Sequence, residues 1–160
     1  MRLTVREFEE PDRETLRGIY TASRRAAFTW QNPASFQPAD FDTDTEDECI
    51  LVALADDVPV GFASIWEPDS FLHTLFVHPD FQHRGVGKML LTHCSAYFTA
   101  ATPTLKCLKA NTQAIGFYMH QGWKAVADGD SPDGPYLLFA RPAEGECGNS
   151  QYRPPPADLI

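Results

Sequence analysis

The segment that most restricts the fold is Leu75-Phe76-Val77-His78-Pro79-Asp80-Phe81-Gln82-His83-Arg84-Gly85-Val86-Gly87-Lys88. An apolar strand ends, a short loop follows, and Arg-Gly-Val-Gly-Lys opens a helix. Glycines at 85 and 87 leave backbone N–H groups unobstructed at a helix start, where the helix dipole is positive. Such a start is a cradle for pyrophosphate, and Arg84 and Lys88 add charge to it. Two familiar phosphate loops are excluded. A nucleotide triphosphatase loop needs Gly at 82 and Ser or Thr at 89, where Gln82 and Met89 stand. The dinucleotide pattern needs a third glycine at 90, where Leu90 stands. A glycine-rich helix start with no ligand is the plain alternative.

Around this segment, strand and helix periods alternate. Residues 2–8 show period-two alternation and predict a strand. Pro11-Asp12-Arg13-Glu14 opens a helix, and Leu16, Ile19, Tyr20, Ala26 and Ala27 carry its apolar stripe to about Phe28. Residues 49–55, 60–66 and 71–77 predict three strands, with turns at 56–59 and 67–70. Residues 85–99 predict an amphipathic helix, with Val86, Met89, Leu90, Cys94, Tyr97 and Phe98 on one face. Residues 105–109 predict a strand and 111–121 a helix, with Asn111 as N-cap and Gly122 just past the end. Two last strands, 123–127 and 136–140, flank a loop at 128–135. The strand–helix–strand run over 71–109 predicts a parallel pair inside a mixed sheet. The fold class is therefore α/β, a single domain with a mixed central sheet of six to seven strands and helices on both faces.

With 160 residues, 43% hydrophobic, one domain over 1–141 is the expected size, followed by a Pro-rich tail over 142–160 whose composition reads as disordered. No run of about 18 apolar residues exists, so no membrane span is expected. The N-terminus lacks the apolar stretch of a signal peptide, and the simplest location is cytoplasmic. Cys49, Cys94, Cys107 and Cys147 are scattered and read as buried thiols. A zinc site from His93, Cys94, Cys107 and His120 matches no usual ligand spacing, so no metal is expected.

The net charge of −9 is uneven. Residues 1–80 carry sixteen acids and six bases, with Asp40, Asp42, Asp44, Glu46, Asp47 and Glu48 crowded together. Residues 81–127 carry Arg84, Lys88, Lys106, Lys109 and Lys124 and no acid. That balance argues against nucleic acid as a partner. It suits one polyanionic small ligand on the basic segment and a cation on the acidic side. The acidic run by itself reads as a solvated loop or short helix.

A second motif follows about 25 residues after the first: Asn111-Thr112-Gln113-Ala114-Ile115-Gly116-Phe117-Tyr118-Met119-His120-Gln121-Gly122-Trp123. The pair, Gln-x-x-Gly-x-Gly after a strand and then Asn-x-x-Ala-x-x-Phe-Tyr-x-x-x-Gly-Trp, resembles the GNAT superfamily of acyl-CoA-dependent N-acetyltransferases. The resemblance spans roughly 1–141 in element order and is sharpest over 75–123.

It implies an acyltransferase that uses acetyl-CoA as cosubstrate and no metal. It implies that Phe76 and Val77, with Leu75, present strand backbone to the pantetheine arm. The amides of His83, Arg84, Gly85, Val86, Gly87 and Lys88, after Gln82, would hold the pyrophosphate. Asn111 would contact the arm near the thioester, and Tyr118 would protonate the leaving sulfur as general acid. Strand N–H groups near Leu75 to Val77 would stabilise the oxyanion.

A neutral amine must form from its ammonium, and His73 and Glu67 are the candidate proton acceptors. A lone histidine in an apolar strand is more often a hydrogen-bonded core residue, and Glu67 equally suits a solvated turn. Trp30 and Phe36 lie where relatives shape the acceptor pocket, with ordinary loop packing as the other reading. The expected reaction is direct transfer in a ternary complex to a primary amine, of a small molecule in the first reading. A protein or peptide amine, at an N-terminus or a lysine, and a non-catalytic acyl-CoA sensor are the alternatives. Many enzymes of this fold dimerise, so a homodimer is expected by analogy alone.

Overall fold

The computed structural model describes residues 1–99 and 102–142. The expected tail, apart from Pro142, lies outside the described residues, as does Cys147.

Seven strands form one sheet: β1 (Leu3–Glu7), β2 (Cys49–Ala55), β3 (Val58–Trp66), β4 (Phe71–Val77), β5 (Thr104–Leu108), β6 (Lys124–Ser131) and β7 (Gly134–Ala140). Their order is β1-β2-β3-β4-β5-β7-β6. The β4–β5 pair is parallel and every other pair antiparallel. The mixed sheet expected from the sequence is the sheet observed. Among the described residues four α-helices flank the sheet: α1 (Arg13–Ala27), α2 (Asp40–Asp44), α3 (Val86–Cys94) and α4 (Thr112–His120).

Strand alternation sends side chains to two apolar layers. On one face, Leu16, Ile19 and Tyr20 of α1 and Phe41 of α2 pack on Val52, Leu54, Phe62 and Phe76. On the other, Leu90, Leu91 and Cys94 of α3 and Tyr118 of α4 pack on Leu51, Ala53, Ile65, Leu72 and Leu105. Each fully buried Phe or Leu contributes about 1.5–3 kcal/mol, so both layers are needed to offset chain entropy.

Two boundaries differ from the sequence reading. The helix expected over 85–99 stops at Cys94 and tightens into a 3-10 turn at Ser95–Tyr97. There the Ser95 hydroxyl donates to the Thr92 carbonyl at 2.5 Å, competing with helical continuation. The loop expected over 128–135 is mostly strand, since β6 and β7 pair down to Ser131 and Gly134. This arm is largely exposed, so no apolar period marked it.

The acidic run is the third difference. Its first part forms the short helix α2, and four of its six carboxylates are committed to partners. Asp42 lies 2.7 Å from both Arg13 and Arg17, Asp40 3.1 Å from Arg24, and Tyr20 donates to Asp44 at 2.7 Å. Glu48 meets His73 Nδ1 at 2.7 and 2.9 Å. These contacts tie the α1–β2 connection to α1 and the sheet rather than presenting a solvated acidic face.

The sheet splits at its centre. β4 and β5 share a single register pair, Phe71 with Thr104, after which they diverge. Beyond that point Leu75 and Val77 have no strand opposite them on the β5 side.

Candidate active site

The divergence of β4 and β5 opens a cavity of about 690 Å³. β4 contributes Leu75, Phe76 and Val77 to its wall, and the following loop Phe81, Gln82 and His83. The start of α3 contributes Gly85, Val86, Gly87 and Lys88; α4 and its cap contribute Asn111, Gln113, Ala114, Phe117, Tyr118 and His120. Ser23 and Ala27 of α1 close one side.

The strand wall is backbone as much as side chain. His78 N–H donates to the Val60 carbonyl of β3 at 2.8 Å. A Cβ built on Gly61 of β3 would lie 2.9 Å from the Phe76 oxygen, so that carbonyl also faces β3. Alternation then directs the N–H and C=O of Val77 into the gap. This strand edge is what an extended ligand needs for strand-like pairing.

The loop after β4 turns sharply into α3. His83 sits at φ +63° and Gly85 at φ +83°, both left-handed. At Gly85 the geometry calls for glycine, because an added Cβ would be strained though it meets no neighbour. Gly85 is the N-cap of α3 and supplies no side-chain hydrogen bond, so the first amides of the helix are open to an anion. A Cβ at Gly87 would touch Phe117 at 3.5 Å and Val77 at 3.9 Å, so any larger side chain would fill the cradle.

α4 forms because Asn111 caps it, accepting from the Ala114 N–H at 3.3 Å. That bond uses the amide oxygen and leaves the Asn111 NH₂ donors. Tyr118 is 1% exposed, packed against Phe117, Trp123 and Phe139 with ring centres 5.2, 6.2 and 6.3 Å away. Burial raises its phenol well above the ordinary 10.0, so the group stays protonated.

Of the residues picked from the sequence, the structure brings Leu75, Phe76, Val77, Gln82, His83, Gly85, Val86, Gly87, Lys88, Asn111 and Tyr118 to this one wall. Five others do not line it. Arg84 lies with its guanidinium 5.5 Å from the Phe81 ring centre. Trp30 is 43% exposed and packs on Phe28, and Phe36 is buried beneath Arg24 and beside Phe28. His73 is the extra residue of a β-bulge, with Leu72 and Thr74 facing consecutive β3 residues. The bulge turns its ring onto Phe71 and Glu48. Glu67 begins a 3-10 turn after β3, beside Cys49.

The basic segment is similarly divided. Lys88 lines the cavity, whereas Lys109 pairs with Asp128 at 3.1 Å and Lys106 is buried, its ammonium 5.0 Å from the Tyr136 ring centre.

The wall also includes residues not anticipated. Gln113, Phe117 and His120 have a sequence signal, following one another at helical spacing along α4. Ser23 and Ala27 have none, because their role depends on how α1 packs.

The acetyltransferase (GNAT) family model matches residues 13–123. The chain is 34% identical over 93 residues to the peptidyl-lysine N-acetyltransferase YjaB of Salmonella typhimurium, covering 56% of this chain and 61% of that protein. It is 34% identical over 85 residues to YjaB of Escherichia coli, covering 52% and 55%. The matched region thus spans less than two thirds of either relative. The solution structure of apo YjaB from Escherichia coli superposes with TM-score 0.72 at 25% identity, over 88% of this chain and 98% of that one. The PaiA N-acetyltransferase of Thermoplasma acidophilum, solved in complex with coenzyme A, superposes with TM-score 0.73 over 88% and 99%; at 19% identity it shares the fold. No helix among the described residues is long and apolar enough to cross a membrane. With the split sheet, the open helix start and the family match over the same residues, the chain belongs to the GNAT family of acetyltransferases.

Proposed function

We propose that this protein transfers an acetyl group from acetyl-CoA to a primary amine by direct attack in a ternary complex. The observation that carries this reading is the cavity between β4 and β5, with a strand edge on one side and the uncapped start of α3 at its end. The open amides after Gly85, with Lys88, suit a pyrophosphate, and Leu75 to Val77 suit an amide-bearing arm. The coenzyme, when bound, supplies a thioester carbonyl open to attack and a thiolate that leaves.

Tyr118 donates a proton to the departing sulfur, a role consistent with a phenol that burial keeps neutral. Backbone N–H groups between Leu75 and Val77 donate to the carbonyl oxygen as it gains charge. For the proton of the incoming ammonium we retain His73 over Glu67. His73 lies in β4 two residues before the cavity wall and is held by Glu48, whereas Glu67 sits outside the sheet next to Cys49. The thiols favour direct transfer. Burial pushes Cys94 and Cys107 up to about 12 and Cys49 up to about 11, far from a nucleophile's range.

For the acceptor, a lysine side chain of a peptide is the better-supported class. The YjaB relatives act on peptidyl-lysine. The argument for a small cation drew on the acidic run, and four of those carboxylates already have partners in the fold. A thiol-release assay with acetyl-CoA tests this against lysine-bearing peptides and free amines. Turnover only with peptides is the expected result. Turnover with free polyamines or amino-acid analogues would restore the small-molecule reading, and coenzyme binding with no turnover on any acceptor would favour a sensor.

A further inference from the structure

Ser23 is a buried polar residue of the cavity wall, 2% exposed on the inner side of α1. A hydroxyl in a helix ordinarily bonds back to the carbonyl four residues earlier, as Thr21 does to Arg17 at 2.8 Å. Ser23 instead reaches out of its helix and donates to the Val77 carbonyl of β4 at 3.1 Å, across 54 positions of chain.

That carbonyl shares its peptide group with the His78 N–H, which donates to Val60 on the opposite side. The last peptide of β4 is therefore clamped at both ends, by β3 through its N–H and by α1 through its C=O. It lies where the strand edge hands over to the loop leading to Gly85. Gln82 Nε2 stands 3.5 Å from the same oxygen and is too long to hold it alone. Removing the Ser23 end leaves this peptide held only through its N–H, so its carbonyl can tilt and the adjoining Val77 N–H is aimed into the gap less firmly.

We infer that Ser23 is a positioning residue for the pantetheine arm: by fixing the Val77 carbonyl it orients the strand edge on which the arm docks. The inference rests on reading the cavity as the coenzyme site. It assigns Ser23 no contact with the reacting atoms, and it separates the arm from the phosphates, which the α3 amides hold independently of Val77.

The test uses two probes, coenzyme A and its nucleotide fragment truncated at the pyrophosphate, titrated by calorimetry into the wild type, Ser23→Ala and Ser23→Thr. Ser23→Ala is expected to bind coenzyme A about fivefold to tenfold more weakly, the size of one lost hydrogen bond, and the fragment equally well. Its KM for acetyl-CoA rises with kcat at saturation retained, and Ser23→Thr, which keeps a hydroxyl, restores affinity. Unchanged or tighter binding of coenzyme A by Ser23→Ala would overturn the inference, as would an equal loss for both probes. A wild type that binds neither probe would instead remove the coenzyme reading on which it stands.

Discussion

Tyr118→Phe separates chemistry from folding at the one side chain that serves both. The change deletes a hydroxyl and keeps a ring that packs against Phe117, Trp123 and Phe139. Nothing among the described residues hydrogen-bonds that hydroxyl, so its loss should shift stability by no more than about 1 kcal/mol, or about 2–4 °C in Tm for a domain of this size. A general acid, by contrast, contributes on the order of a hundredfold to ten-thousandfold in rate. The expected outcome is a near-native melting curve, unchanged affinity for coenzyme A, and turnover lower by about a hundredfold or more. Acceptor-independent hydrolysis of acetyl-CoA should fall too, since the sulfur must still leave. Because the folded phenol titrates above 10.0, the wild-type rate should show no decline attributable to Tyr118 at any pH below that value. Turnover within a few-fold of wild type, with coenzyme binding intact, would refute the general-acid role. A large loss of Tm would show instead that the hydroxyl is structural.

Gly87→Trp should abolish coenzyme A binding with the circular dichroism spectrum preserved, because its Cβ would already touch Phe117 and Val77 and the indole would occupy the cradle; normal affinity in calorimetry would dismiss the cradle. Asp12 is held below its ordinary 3.8 by Arg6 at 2.7 and 3.0 Å and by the Glu9 N–H at 2.9 Å. Its stabilisation is therefore complete above that value and disappears as pH falls through the lower folded value. Asp12→Asn should cost about 2 kcal/mol at neutral pH in urea melts and progressively less in acid, and a pH-independent cost would contradict the assignment. Alkylation of Cys49, Cys94 or Cys107 at neutral pH should be slow, since on the order of one thiol in ten thousand or fewer is ionised, and no acetylated enzyme should appear by mass spectrometry before acceptor is added. Inactivation in step with labelling of any of the three would reopen a covalent route.

The half of the site proposed for the coenzyme was legible in the sequence because its chemistry is local. Open amides need glycine and a helix start, and those lie within six residues from Gln82 to Gly87; the cap of α4 and Tyr118 likewise share one contiguous segment. The acceptor half is different. Trp30 and Phe36 are read from where relatives shape the acceptor pocket and the acidic run from its charge pattern, whereas the contacts of these side chains are set by distance in space. Phe36 is covered by Arg24, twelve positions back, and Asp42 is held by arginines 25 and 29 positions away. A charge pattern records how many carboxylates exist but not which of them are already neutralised by a partner.

The same limit holds for His73 and Ser23 from opposite sides. His73 stands out in the sequence because it is a titratable group in an apolar strand. A single-residue bulge, which alternation cannot reveal, turned it toward Glu48 and away from the cavity wall. Ser23 carries no such signal, because serine in an amphipathic helix usually bonds its own backbone. Only the packing of α1 across β4 turns its hydroxyl into one end of a clamp on the end of β4. In both cases residue type sets what the side chain can do, and backbone geometry some distance away sets what it does. The residues whose roles sequence can state are those whose partner is a neighbouring amide. Those it cannot are the ones that join α1 to the sheet, and in this protein that joint borders the cavity itself.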